Sequence, residues 1–333
     1  MNHWQSRGLL AWLLLPLGIL FYAVAALRRG LYRCGLRTAA RLPVPVIVVG
    51  NITAGGTGKT PLVLALAQSL AQSGCRPGII SRGYGARLSH PRAVPVNGDP
   101  ADYGDEPCLL ARRAGCPVWV GNNRVATASA LLAADRSCDV LISDDGLQHL
   151  ALARDIEIAV VDGDRGVGNG WPLPAGPLRE PVSRLKTVNR IVVNGGGPAA
   201  PPASPSDLLR SRMHLSGDTL SNLANPSLTQ PLSSWAGRRV HAVAGIGHPP
   251  RFFAALRAAG LICTEHPFPD HHPYTLEDLD FGDEAPVVMT EKDAVKCAAF
   301  SAPSHWMLRV DATISPPLTG DLLQLIRPRS THG

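Results

Sequence analysis

No aspartate or glutamate precedes Asp99 in this 333-residue chain. The same stretch carries eleven cations: Arg7, Arg28, Arg29, Arg33, Arg37, Arg41, Lys59, Arg76, Arg82, Arg87 and Arg92. The whole-chain charge is only +6, so the remainder is net acidic. Basic character confined to one end suggests an anionic partner: a phosphate-bearing substrate, an anionic lipid or a nucleic acid. Aromatic residues are scarce at 5%, and neither an RNP pattern nor a zinc-finger spacing occurs, so nucleic acid ranks last. The seven cysteines (Cys34, Cys75, Cys108, Cys116, Cys138, Cys263, Cys297) are odd in number and contain no C-x-x-C. That argues against a disulfide framework or a cysteine metal cluster, and for reduced thiols in a cytosolic fold. Internal repeats and a low-complexity tail are also absent, and no obligate protein partner is evident.

Long hydrophobic runs are missing with one exception, the uncharged segment Leu9–Leu27, interrupted by Pro16 and Gly18. Its length is close to the roughly 20 residues needed to cross a bilayer core. A cleaved signal peptide is disfavoured, because Arg28 and Arg29 follow at once and a nucleotide-binding motif comes next. A buried core helix is a second reading. A membrane anchor is favoured, since Arg28, Arg29, Arg33, Arg37 and Arg41 hold its C-terminal side in the cytoplasm. Spanning and interfacial attachment both stay open. The basic helix is expected to run on until Pro43 and Pro45 end it.

The centre of the chain's organisation is Thr53-Ala54-Gly55-Gly56-Thr57-Gly58-Lys59-Thr60. Val46–Asn51 before it is a β-branched strand pattern, and Pro61–Leu70 after it is a helix pattern. Strand, glycine-rich turn and helix form the context of a phosphate-binding P-loop. The glycines can turn several backbone N–H groups toward one anion, and the helix N-terminus adds partial positive charge. Lys59 would reach the β/γ-phosphates and the Thr60 hydroxyl would ligate Mg²⁺. Thr53 stands where the general pattern has glycine.

Further strands are expected at Pro77–Ser81, Pro117–Val120, Cys138–Ser143, Ile156–Val161 and Val188–Val193, alternating with helices after Asp105 and Arg124. Arg82 and Tyr84 follow the second strand at the edge where doubly wound sheets carry ligand loops, although a plain surface turn explains them equally well. Asp105 and Glu106 open a helix, where acidic residues are ordinarily caps. Arg124 lies on the same edge, where a guanidinium can clamp phosphate oxygens. Asp144 and Asp145 end an apolar strand as a Walker-B acid does, and one of them would hold Mg²⁺. Trp171–Pro181 is too proline-rich for regular structure and reads as a long loop walling a site. Gly195–Pro205 reads as a flexible connection, followed by a second α/β alternation. In that part Asp270, His271 and His272 suggest either a metal site or an Asp–His proton relay.

Seven stretches together resemble the tetraacyldisaccharide 4′-kinase family: Gly50-Asn51 with Gly55–Pro61, Ser81–Gly85, Gly104–Pro107, Asp144–His149, Gly176–Glu180, Phe268–His271 and Thr290–Asp293. They run in family order along almost the whole chain, and the family does not keep glycine at the position of Thr53. The resemblance implies an α/β fold with a P-loop kinase core (residues 43–205), built on a mainly parallel sheet. It also implies a smaller C-terminal α/β lobe (206–333) closing the nucleotide cleft, and an N-terminal membrane helix with a basic collar (1–42). It implies transfer of the ATP γ-phosphoryl group to the 4′-hydroxyl of a tetraacylated glucosamine disaccharide 1-phosphate, with Mg²⁺, on the cytoplasmic face of a bacterial inner membrane. Under it Asp105 is the base paired with His271, and Lys59 is catalytic. The nucleotide lies on Thr53–Thr60, and Thr60, Asp144 and Glu180 are the metal ligands. Tyr84, Glu106, Arg124 and Asp145 are substrate or phosphate contacts. Two rivals fare worse. A GTPase switch needs N/T-K-x-D, and Thr290-Glu-Lys-Asp293 lacks the spacer; a non-enzymatic scaffold leaves the acidic motifs unexplained.

Overall fold

The computed structural model describes residues 4–197 and 210–326. Helix α1 (Leu9–Arg33) buries only Ala11 and Gly18 and ends ten residues short of the expected stop, because Gly35 takes a left-handed φ of 76°. The Cys34 N–H closes the helix on the Gly30 carbonyl, and glycine adopts that backbone at little cost. Strand β1 (Val46–Gly50) follows, buried at every position. Ile47 and Val49 face one apolar core while Val46 and Val48 face the other, as the two-residue repeat of a strand requires. A strand covered on both faces reads as a continuous apolar run rather than an alternation, which is why it was legible.

Helix α2 (Lys59–Gln72) buries Leu62, Leu66 and Leu70 against one of those cores, each contributing about 1.5–3 kcal/mol. The next elements are β2 (Pro77–Ser81), β3 (Arg92–Ala93), α3 (Pro100–Tyr103), α4 (Asp105–Arg113) and β4 (Val118–Val120). Then come α5 (Arg124–Ala134), β5 (Val140–Ser143), β6 (Ile156–Asp162) and β7 (Arg190–Asn194). Asn123 caps α5 by accepting from the N–H groups of Val125 and Ala126. The Trp171–Pro181 segment is irregular, as its prolines predict. Of the Gly195–Pro205 stretch only Gly195–Gly197 lies within the described residues.

The second alternation comprises β8 (Arg210–Asn222), β9 (Thr229–Pro231), β10 (Arg239–Ala244), α6 (Pro249–Ala258), β11 (Ile262–Pro267), β12 (Val287–Thr290), α7 (Glu291–Cys297), β13 (His305–Ser315) and α8 (Thr319–Ile326). Its strands continue the first sheet. The order is β11-β10-β12-β13-β8-β7-β6-β1-β5-β2-β4-β3, with β9 on β8. Neighbours are parallel except β3–β4, β8–β9 and the long β8–β13 pair. Strand β8 joins the two halves, pairing with β7 on one side and β13 on the other; neither β8 nor β13 was anticipated, although Leu308, Val310, Ala312 and Ile314 of β13 alternate with exposed residues. The central strand β1 lies between β5 and β6, so its C-terminal end opens where ligands bind in doubly wound sheets.

Candidate active site

The turn from β1 to α2 is held by its own chain. Asn51 Nδ2 donates to the Gly55 carbonyl and to Thr57 Oγ1, each at 3.3 Å, and Asn194 Nδ2 donates to the Thr57 carbonyl at 3.0 Å. Gly55 and Gly58 have φ of 99° and 90°. A Cβ on Gly58 would also stand 2.5 Å from Asn194 Nδ2, so glycine is required there twice over. The turn leans on both halves of the molecule. Ala54 N–H donates to the Pro177 carbonyl at 2.7 Å, Arg165 donates to the Gly56 carbonyl, and Gly247 packs against Gly56. Thr53 and Thr57 are buried, while Gly55 and Gly56 are exposed and Gly58, Lys59 and Thr60 half-buried.

Two charged clusters flank this turn. In the first, Lys59 Nζ lies 3.6 Å from Asp145 Oδ1, and Arg179 lies 3.1 Å from Asp145 Oδ2. Burial opposes ionisation of Asp145, but Lys59 and Arg179 outweigh it and hold the carboxyl below its ordinary value. Asp145 has φ of 47°, a left-handed conformation uncommon outside glycine. Asp144 beside it is fully buried; Oδ2 accepts from Ser81 Oγ at 3.3 Å and Oδ1 has no hydrogen-bond partner. Burial first, then the Glu106 and Asp145 carboxylates, raises its pKa to about 7. Arg124 is buried too, donating to the Gly121 and Asp144 carbonyls. Burial lowers its pKa to about 10.

The second cluster joins residues 166 positions apart: His271 Nδ1 lies 2.9 Å from Asp105 Oδ2. Asp105 is buried at the first turn of α4, and its Oδ1 accepts from the Glu106 N–H at 2.8 Å. Burial would raise its pKa; the His271 hydrogen bond and the Lys292 ammonium outweigh that and lower it. The Asp105 hydrogen bond raises the His271 pKa against burial and Lys292. His271 has φ of 63° and sits beside the Tyr84 ring at 4.8 Å. Among the described residues, Asp145 and His271 are the two non-glycine positions with positive φ, and both fall in these clusters. Glu106 links them: it acts on the charge of Asp144 and pairs with Lys292 at 3.1 Å.

The sequence profile of the tetraacyldisaccharide-1-P 4′-kinase family matches residues 10–327. This chain belongs to that family. A tetraacyldisaccharide 4′-kinase of Aromatoleum aromaticum is 51% identical over 99% of this chain and 96% of its own length. One from an Azoarcus species is 50% identical over 100% and 95%. The crystal structure of the family member LpxK from Aquifex aeolicus, in complex with ATP, superposes with a TM-score of 0.81 at 28% identity. That alignment covers 96% of this chain and all of that one.

Most of the kinase-family positions singled out in the sequence fall in the two clusters; Glu180 does not. It is buried, with Oε2 3.3 Å from both Arg29 and Arg184 and Oε1 accepting from Gln148 at 2.7 Å. Both of its oxygens are therefore engaged by protein donors rather than open to a metal. Asp270 and His272 do not form a metal site either: His272 pairs with Asp278, and among the described residues no group of three His, Cys, Asp or Glu is placed to hold an ion. Sequence reasoning passed over Arg179, Gln148 and Lys292. Each lies inside a family-like stretch, but no spacing rule says which partner it reaches.

Proposed function

We infer that this chain transfers the γ-phosphoryl group of ATP to the 4′-hydroxyl of a tetraacylated glucosamine disaccharide 1-phosphate. The contact between Asp105 and His271 beside a P-loop is the observation that carries this reading. Phosphoryl transfer asks the protein for positioning and charge neutralisation more than for covalent chemistry. The amides of Gly55, Gly56 and Gly58, the α2 N-terminus and Lys59 would hold the phosphates, with Arg124 and Arg179 near the transferred group. The hydroxyl oxygen attacks the γ-phosphorus, the bond to the β-phosphate oxygen breaks, and ADP leaves with the electron pair. The hydroxyl proton passes to the Asp105–His271 pair.

The residues present fit a divalent cation: Asp144 has a buried, unpartnered carboxylate oxygen, and burial with the Glu106 and Asp145 carboxylates opposes its ionisation, which a bound cation would favour. Thr60 and Asp144 would hold Mg²⁺, and Glu180 joins them only by exchanging its arginines for the ion. Bound there, Mg²⁺ supplies charge neutralisation of the phosphate oxygens.

The transfer of labelled γ-phosphate to detergent-dispersed lipid tests this reading. Asp105→Ala should lower lipid labelling by about 10²–10⁴ while ATP binding persists. Equal labelling by both proteins would remove Asp105 from the role.

Helix α1 is long and apolar enough to cross a bilayer. It is nevertheless bound along its length to the kinase core. Trp12 packs edge-on against Trp171 at 4.7 Å, a Cβ on Gly18 would stand 2.9 Å from Pro172, and Arg29 pairs with Glu180. A helix crossing the bilayer in that embrace would draw Arg165, Asn169, Arg179 and Glu180 of the 164–181 segment toward hydrocarbon. An interfacial anchor, with Leu9, Leu13, Leu17, Leu20, Val24 and Leu27 turned to lipid, suits the contacts on the cytoplasmic face of the inner membrane. Removing residues 1–29 should lower activity on bilayer substrate far more than ATP affinity; equal losses would refute the anchor.

A further inference from the structure

Lys292 matched no sequence rule, yet its ammonium touches four groups of the second cluster. Its Nζ lies 3.0 Å from Asp270, 3.1 Å from Glu106, 3.5 Å from His271 Nε2 and 3.7 Å from Asp105 Oδ2. The side chain is mostly shielded from water. Its neighbours in the same motif serve other ends: Glu291 pairs with Arg113, and Asp293 accepts from the Gly245 N–H. We propose that Lys292 is a positioning residue that keeps the Asp105–His271 pair vacant for one proton while tying α4 to the 270–271 turn. The proposal rests on the kinase reading above.

To accept the hydroxyl proton, the pair must begin as a carboxylate beside a neutral imidazole. A buried carboxylate hydrogen-bonded to an imidazole favours the imidazolium, which fills the vacancy before substrate arrives. An ammonium within 4 Å of both opposes that protonation and stabilises the carboxylate. The charges near the pair are Lys292 and Lys296 from α7, Glu106 from α4 and Asp270 from the turn; the Cys108 thiol of α4 is kept neutral by burial, which pushes its pKa up to about 12. The exposed Tyr84 ring lies beside His271 on the solvent side. Lys292 lowers the His271 pKa and Asp270 raises it, so the two act in opposite senses on one imidazole.

That opposition supplies the test. The His271 imidazole is titrated by NMR in the full-length protein, and the acidic limb of kcat/KM is measured alongside it. Lys292→Gln should move both midpoints up by about one pH unit, costing about tenfold in rate below the limb. Lys292→Arg should restore them. Asp270→Asn, at a partly exposed site, should move them down, so the idea stays testable even where Lys292→Gln does not fold. A uniform fall in rate with both midpoints unmoved would make Lys292 a mere tether and overturn the proposal. Because the NMR titration needs no turnover, a failed kinase reading would show as absent lipid labelling with the titration shifts intact.

Discussion

The two charged clusters each contain a buried aspartate, and their electrostatics run in opposite directions. Burial and neighbouring carboxylates push Asp144 up to about 7, while His271 and Lys292 hold Asp105 below its ordinary value despite burial. The difference is whether the local cations win. Lys59 and Arg124 act on Asp144 but do not outweigh its burial and the neighbouring carboxylates, and its Oδ1 has no partner, whereas His271 and Lys292 outweigh the burial of Asp105. A buried carboxylate is costly unless it is paired, so the protein has stabilised the group proposed to accept a proton. The one proposed to receive a metal it leaves unpartnered on one oxygen.

Asparagine at each position breaks this comparison most sharply. Asp144→Asn should abolish the rise in melting temperature that Mg²⁺ gives the nucleotide-free protein, along with kinase activity, whereas Asp105→Asn should lose activity and keep the Mg²⁺ response. Identical Mg²⁺ responses in the two variants would place the ion elsewhere. Gly58→Ala has a smaller effect, because it forces a Cβ against Asn194 at a left-handed position. It should cost about 1–3 kcal/mol of stability and weaken ATP binding, measured by denaturant unfolding and titration, with His271 titrating as before.

The pH dependence of melting is the mildest expectation. Asp144 has a raised folded-state pKa, so its contribution is fully present below the ordinary carboxylate range and is lost as pH rises toward about 7. Asp105 behaves in the opposite sense, its contribution fading only in acid. Between about pH 5 and 8 the metal-free protein should therefore lose a few degrees of melting temperature. Mg²⁺ or Asp144→Asn should flatten that slope, and a slope unchanged by either would dissociate it from Asp144.

The first cluster was far more legible than the second. Lys59 and Thr60 follow from a glycine pattern between a strand and a helix, and Asp144 and Asp145 from an apolar run that ends in acid; both signals lie within a few residues of the side chains concerned. Asp105 and His271 are different. Taken alone, Asp105 is a helix-cap acid and His271 a loop histidine; only the family resemblance paired them. Lys292, in a motif examined for guanine specificity, passed without a role. The α1 stop was missed because Gly35 gave a shorter exit than the prolines, and β13 was missed although Leu308, Val310, Ala312 and Ile314 alternate with exposed residues.

The sequence by itself determined the local βα units, the P-loop conformation and the apolar helix, since each is specified by neighbours within a turn or two of chain. Only the tertiary structure decided which charges meet. Long-range packing brings residues 105, 271 and 292 together, pairs Glu180 with Arg29 and lays Gly247 against Gly56. The physical reason is range. Backbone preference and periodicity act over a few residues, whereas pairing of buried charges depends on distances that long-range strand register sets.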